Sequence, residues 1–133
     1  MKVEAIPLQE LVNRLIGADP SAAIYANRVR NDIPAEMMVL TDENMLAYVL
    51  WNLISSAVNN LQEECIHIEA MSIGDRTIIR IKDVGTYFYH TISQEYRKVQ
   101  YVAEKLGGSV SIDHDTHYGA NASFIISNRL LVA

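Results

Sequence analysis

The stretch from Asp42 to Leu61, DENMLAYVLWNLISSAVNNL, constrains the fold more than any other part of the chain. Its apolar residues Leu46, Val49, Leu50, Leu53, Ile54, Ala57, Val58 and Leu61 recur at i, i+3, i+4 and i+7, the period of one buried helical face. Thr41 or Asp42 suits the N-cap, and the acidic Asp42 and Glu43 favour the positive end of the helix. The opposite face carries Tyr48, Asn52, Ser55, Ser56 and Asn59, with no charged residue between Glu43 and Glu63. Solvated helix faces usually carry Glu and Lys, whereas Asn and Ser are poorer helix formers because they compete for backbone hydrogen bonds. Two readings fit the uncharged stripe: the wall of a semi-enclosed polar cavity, or an ordinary exposed face that lacks charge.

A helix of this kind needs a sheet or other helices to cover it, and 133 residues with 50% hydrophobic content suffice for one domain, spanning 1–133, with a sizeable core. The net charge of −5 and the absence of a basic cluster beyond Arg97-Lys98 argue against nucleic acid or an anionic membrane as partner. Cys65 is the only cysteine, which excludes an intrachain disulfide and a cysteine-based metal site. His114 and His117 fall in an expected turn and read as polar turn residues. MKVEAIPLQE lacks a signal-peptide hydrophobic region and no run reaches membrane-spanning length, so the cytoplasm is the expected location.

In chain order, Pro7 to Ile16 reads as a short amphipathic helix with Leu8, Leu11, Val12 and Leu15 inward. Gly17 to Pro20 ends it. Ala22 to Arg30 alternates weakly like a strand, Asn31 to Pro34 is a turn, and Met37 to Leu40 is a short strand before the central helix. Cys65 to Met71 and Thr77 to Lys82 form a hairpin around Ile73–Arg76. Ser93 to Leu106 is a second amphipathic helix, with Thr91 and Gln94 as a capping box. Gly107-Gly108 suits a left-handed helix end followed by a tight start to the next strand. Ser109–Asp113 and Ala120–Ser127 close the chain as a hairpin. The order αββαββαββ predicts an α/β (α+β) two-layer sandwich, with helices on one face of a mixed, mostly antiparallel sheet.

Three stations resemble the histidine-kinase-type ATPase family, the GHKL superfamily that also contains gyrase and chaperone ATPase domains. Val49-Leu-Trp-Asn-Leu-Ile-Ser-Ser-Ala57 resembles the family's N-box helix, xxxNLxxNA. Ile81-Lys-Asp-Val-Gly85 resembles its first glycine box, a strand followed by DxGxG. Val99 to Ile112 with Gly119 to Ile126 resembles the closing helix, GG turn and hairpin. Ile6 to Leu11 and Val29 to Pro34 look like its opening helix and first strands, so the resemblance spans nearly the whole chain. It implies roles position by position. Asp83 would accept the adenine amino group's hydrogen bond and Gly85 would let the backbone pass close to the base. Asn52 matches the first N-box asparagine. Ser56 stands where the second asparagine holds magnesium, Asn59 where a phosphate-binding lysine is frequent, and Asn60 where an aromatic stacks on adenine. Tyr87 replaces the second glycine of DxGxG, and its ring can intrude on the nucleotide.

The family places an ATP lid and a glycine-rich phosphate loop after the DxGxG box. Here only Thr86 to His90 separate Gly85 from Thr91, and no glycine occurs from Thr86 through Leu106. Inward-turned backbone N–H groups are what bind phosphates in such loops. The expectation is therefore a degenerate, pseudokinase-like domain of a bacterial two-component sensor histidine kinase or related signalling protein. It would bind ATP weakly or not at all and serve as an interaction or dimerisation module. Its partner would be a helical phosphotransfer/dimerisation domain or a second copy of itself, without nucleic acid or membrane contact. The alternative is an active catalytic domain, using ATP and magnesium to phosphorylate a histidine, or an anti-sigma-type serine kinase.

Overall fold

The computed structural model describes residues 2–18, 28–59, 65–82, 95–115 and 119–127. Its elements, in chain order, are β1 (Val3–Pro7), α1 (Leu8–Ala18), β2 (Val29–Asn31), β3 (Met38–Asp42), α2 (Glu43–Asn59), β4 (Ile66–Ile73), β5 (Arg76–Lys82), α3 (Tyr96–Lys105), β6 (Ser109–Asp115) and β7 (Gly119–Ser127). This is the expected αββαββαββ order with one additional strand at the front. Five strands form one mixed sheet in the order β2-β4-β5-β7-β6, antiparallel except where β2 runs parallel to β4. β1 and β3 pair antiparallel as a separate two-stranded ribbon.

The core follows from alternation. Ile66 and Ile68 on β4, Thr77, Ile79 and Ile81 on β5, Ala122, Phe124 and Ile126 on β7, and Val110 on β6 point to one face and are buried. The helices cover that face. On α2, Leu46, Val49, Leu50, Leu53, Ile54, Ala57 and Val58 are all buried, at about 1.5–3 kcal/mol for each large side chain. Leu8, Leu11 and Val12 of α1 and Val99 and Ala103 of α3 complete the layer, with Leu106 just beyond α3. Leu15, Tyr96 and Val102, also expected inward, are partly buried against the same core. No helix among the described residues is long and apolar enough to cross a membrane.

Local chemistry sets the junctions. Asp42 caps α2: its Oδ1 accepts the Met45 N–H at 2.9 Å, and its Oδ2 accepts the Lys2 N–H at 2.8 Å. These donors, Met45 first, hold its carboxyl below the usual carboxylate range against the opposing effect of burial. The Arg14–Glu43 pair at 2.8 Å links α1 to the same helix end. Asn31 Nδ2 donates to Gln9 O and Asn13 Oδ1, and Asn31 Oδ1 accepts the Ile33 N–H at 3.2 Å, which ties the turn after β2 to α1.

The end of α3 bears out the glycine reading. Gly107, at φ 74°, donates to Glu104 O and Gly108 donates to Ala103 O, both at 3.0 Å, the paired bonds of a Schellman ending. Gly108 then passes so close to β7 that a Cβ there would lie 1.5 Å from Ile125 O. Beyond it, the Val110 N–H donates to Gln100 Oε1 at 2.7 Å and the Tyr96 hydroxyl donates to Val110 O at 2.9 Å.

Several boundaries differ from expectation. β1 was not anticipated; Pro7 ends it opposite Met38, and α1 starts at Leu8 and runs through Gly17 to Ala18. The last hairpin is longer than expected, so His114 lies within β6, opposite Ala120, rather than in a turn. α3 starts at Tyr96, and Glu95 occupies its N-cap position without a side-chain capping bond. The expected capping box of Thr91 and Gln94, and most of the expected Ala22–Arg30 strand, lie outside the described residues.

Candidate functional site

α2 carries the candidate site on the face turned away from its core stripe. Tyr48 and Trp51, one helical turn apart, are the exposed large residues of this face, at 36% and 45% of full exposure. Asn52, Ser55 and Ser56 beside them are half-buried. The Asn52 amide Nδ2 donates to the Tyr48 carbonyl of its own helix at 2.8 Å. This is the local competition for backbone acceptors that makes Asn a poor helix former. It leaves Oδ1 as the acceptor that Asn52 can offer a ligand. Ser55 and Ser56 are both engaged in polar contacts.

The described part of this face is therefore neutral and already partly self-satisfied. Asn52 Oδ1 and the Ser56 hydroxyl are uncharged oxygen ligands, whereas magnesium sites are normally built on carboxylates and substrate phosphates. Among the described residues, no group of three or more His, Cys, Asp or Glu side chains converges to hold a metal ion. No Lys or Arg is present on α2 to meet a phosphate.

Of the sequence-derived positions, Asn52 and Ser56 share the shoulder of one helix, one turn apart. Asn59 closes that helix, and its side chain lies outside the described part. Asp83, Gly85 and Tyr87 also lie outside the described residues, and with them the expected shallow pocket between Asn52, Ser56 and the 83–85 turn. β5, the strand that leads to Asp83, ends at Lys82, and its Ile81 is buried in the same cluster as Leu53 and Ile54 of α2. The sequence reading singled out Tyr48 but not Trp51. Its signal is available in retrospect: Trp51 lies three residues from Tyr48 and outside the i, i+3, i+4 core set.

No protein-family model matches the chain, and no curated protein does. Solved structures do. The catalytic domain of histidine kinase ThkA superposes with a TM-score of 0.69 over 96% of this chain and 97% of that one, at 16% identity. The Acinetobacter baumannii histidine kinase AdeS gives a TM-score of 0.76 over 96% of this chain and 68% of its own, at 15% identity. Full-length ShkA, solved in complex with AMPPNP, gives 0.72 over 95% of this chain and 31% of its own, at 17% identity. The fold of this chain is thus that of the histidine kinase catalytic domain.

Proposed function

We propose that this domain is a degenerate histidine-kinase-type ATPase domain that binds Mg-ATP weakly or not at all and acts as a docking module for a helical signalling partner. The observation that carries the reading is the state of the α2 face. Asn52, at the position of the family's first N-box asparagine, turns its amide nitrogen back onto the Tyr48 carbonyl and offers a ligand only neutral groups, and the face supplies no positive charge for a triphosphate. Phosphoryl transfer rests almost wholly on positioning and charge stabilisation, so these are the groups it cannot lose. Ser56 at the magnesium position, Asn59 at the lysine position and the short Thr86–His90 segment support the same reading. The exposed Tyr48 and Trp51 supply what docking uses, since aromatic anchors dominate interface energetics.

The second reading, an active ATP-dependent kinase domain, is favoured by the AMPPNP-bound ShkA structure, which has the same fold. Calorimetry with Mg-ATP on the wild-type chain and on Asp83→Asn separates the two. The expected result is no measurable heat, or binding weaker than millimolar, for both proteins. Micromolar binding that Asp83→Asn abolishes would restore the kinase reading.

A further inference from the structure

The second face of the five-stranded sheet carries no helix among the described residues. An open antiparallel face is normally polar. Here the register sets Met71 beside Ile78 and Ile78 beside Ile125, an apolar row across β4, β5 and β7. Met71 is 37% exposed and Ile73, two residues further along β4, is 58% exposed. Along β5 the same face reads Arg76, Ile78, Arg80, with both arginines exposed. Glu69, the cross-strand neighbour of Arg80, directs its carboxylate to Lys82 Nζ at 3.6 Å. Neither Arg76 nor Arg80 forms an ion pair among the described residues. A chain of net charge −5 thus presents an apolar row bracketed by two guanidinium groups that form no ion pair among the described residues.

We propose that this face docks an acidic amphipathic helix of a partner protein. The inference rests on the docking reading above and gives it a surface and a partner chemistry. The two arginines stand four residues apart on one strand, about 13 Å. Two turns of helix rise about 11 Å, so acidic residues at i and i+7 reach both guanidinium groups, and apolar residues at i+3 and i+4 fall over Ile78 and its neighbours. A helix on this side would give the sheet a second covering layer, a standard way of burying an apolar sheet face. Charge selects against a second copy. Packed face to face about a two-fold axis through Ile78, it would set Arg76 against Arg80 of the other molecule, like against like.

The test uses a synthetic helical peptide with Glu at i and i+7 and Leu at i+3 and i+4, its Lys-for-Glu counterpart, and phosphatidylserine-containing vesicles. Amide NMR shifts of the full chain serve as the readout. The Glu peptide is expected to shift Met71, Ile78 and Ile125, and Arg76→Glu with Arg80→Glu to weaken it by about tenfold or more. Two exposed charge pairs plus the new repulsion support a change of that size. The double variant is expected to gain binding of the Lys peptide, with retained amide shift dispersion showing an intact fold; its melting temperature falls somewhat, because Arg80→Glu sets a carboxylate opposite Glu69. The surface assignment is overturned by no shifts at millimolar peptide, by vesicle binding in place of peptide binding, or by concentration-dependent self-association through this face. Shifts mapping to Tyr48 and Trp51 would overturn it while leaving the docking reading standing; that reading has its own test in the Mg-ATP calorimetry.

Discussion

Gly108→Ala is the substitution whose cost the structure fixes most narrowly. An alanine Cβ at this position would lie 1.5 Å from Ile125 O, 2.6 Å from Ile125 C and 3.1 Å from Ile126 Cα. All three atoms are backbone of β7, so no side chain can rotate away. β7 lies between β5 and β6, with Ile125 paired to Ile78 on one side and Ser109 on the other. Restoring an ordinary contact requires a displacement of roughly 1.5–2 Å, which breaks ladder bonds whose ordinary length is about 2.9 Å. Leaving one or two such groups unpaired at about 1–3 kcal/mol each, with overpacking strain added, gives a loss of about 3–5 kcal/mol. Gly107→Ala is the internal control. It places a side chain at φ 74°, for about 1–2 kcal/mol, and among the described residues its Cβ meets only the Ser127 side chain, Cβ at 3.2 Å and Oγ at 4.0 Å. Urea unfolding followed by far-UV circular dichroism measures both against wild type, using midpoints at a common m-value. Failure of Gly108→Ala to fold while Gly107→Ala folds agrees with the argument. A Gly108→Ala loss below about 1 kcal/mol, or below that of Gly107→Ala, refutes it.

Two further changes probe the α2 end of the molecule. Asp42→Ala removes the α2 cap and is expected to cost about 1 kcal/mol at pH 7. Because the Asp42 pKa is lowered in the folded state, its ionic contribution is present above about pH 4 and is lost as pH falls through the lower folded value. The gap between wild type and Asp42→Ala in urea midpoint therefore narrows on acidification; a gap that widens would contradict the assignment. Thr41 on β3 is fully buried, and its Oγ1 finds no hydrogen-bond partner among the described residues. Thr41→Val replaces this orphan hydroxyl with a methyl of similar shape and is expected to stabilise by about 1 kcal/mol, raising the melting temperature by a few degrees. A lower melting temperature would mean that the hydroxyl is satisfied.

The sequence disclosed those parts of the fold that rest on local periodicity. The α2 stripe, the β4–β5 hairpin and the Gly107-Gly108 ending are all specified by residues near one another in the chain. β1 was not legible because nothing local makes it a strand. Its Glu4 and Ala5 are poor strand formers, and it exists through pairing with β3 across more than thirty residues. The parallel pairing of β2 with β4 is equally remote, resting on three residues and the bond from Asp32 N–H to Ile68 O. At the site, spacing alone placed Asn52 and Ser56 on one shoulder of α2. It did not disclose that the Asn52 amide turns back onto the helix, since that choice between backbone and ligand is made by rotamer rather than by position. The apolar row on the open sheet face escaped notice for a related reason: Met71, Ile78 and Ile125 come from three strands and become neighbours only once register is set.

The two bonds to Val110 have a consequence for how this protein meets others of its kind. β6 is an outer strand, and the backbone groups of alternate residues on such a strand point outward as a template for another chain. At Val110 both outward groups are already taken, the N–H by Gln100 and the carbonyl by Tyr96. The helix that packs against the sheet thus also seals its rim with two side chains set one turn apart. A strand from another molecule could not lengthen the sheet through this point without first displacing both. Strand-to-strand polymerisation, the hazard of any open sheet, is obstructed here by an amide and a phenol.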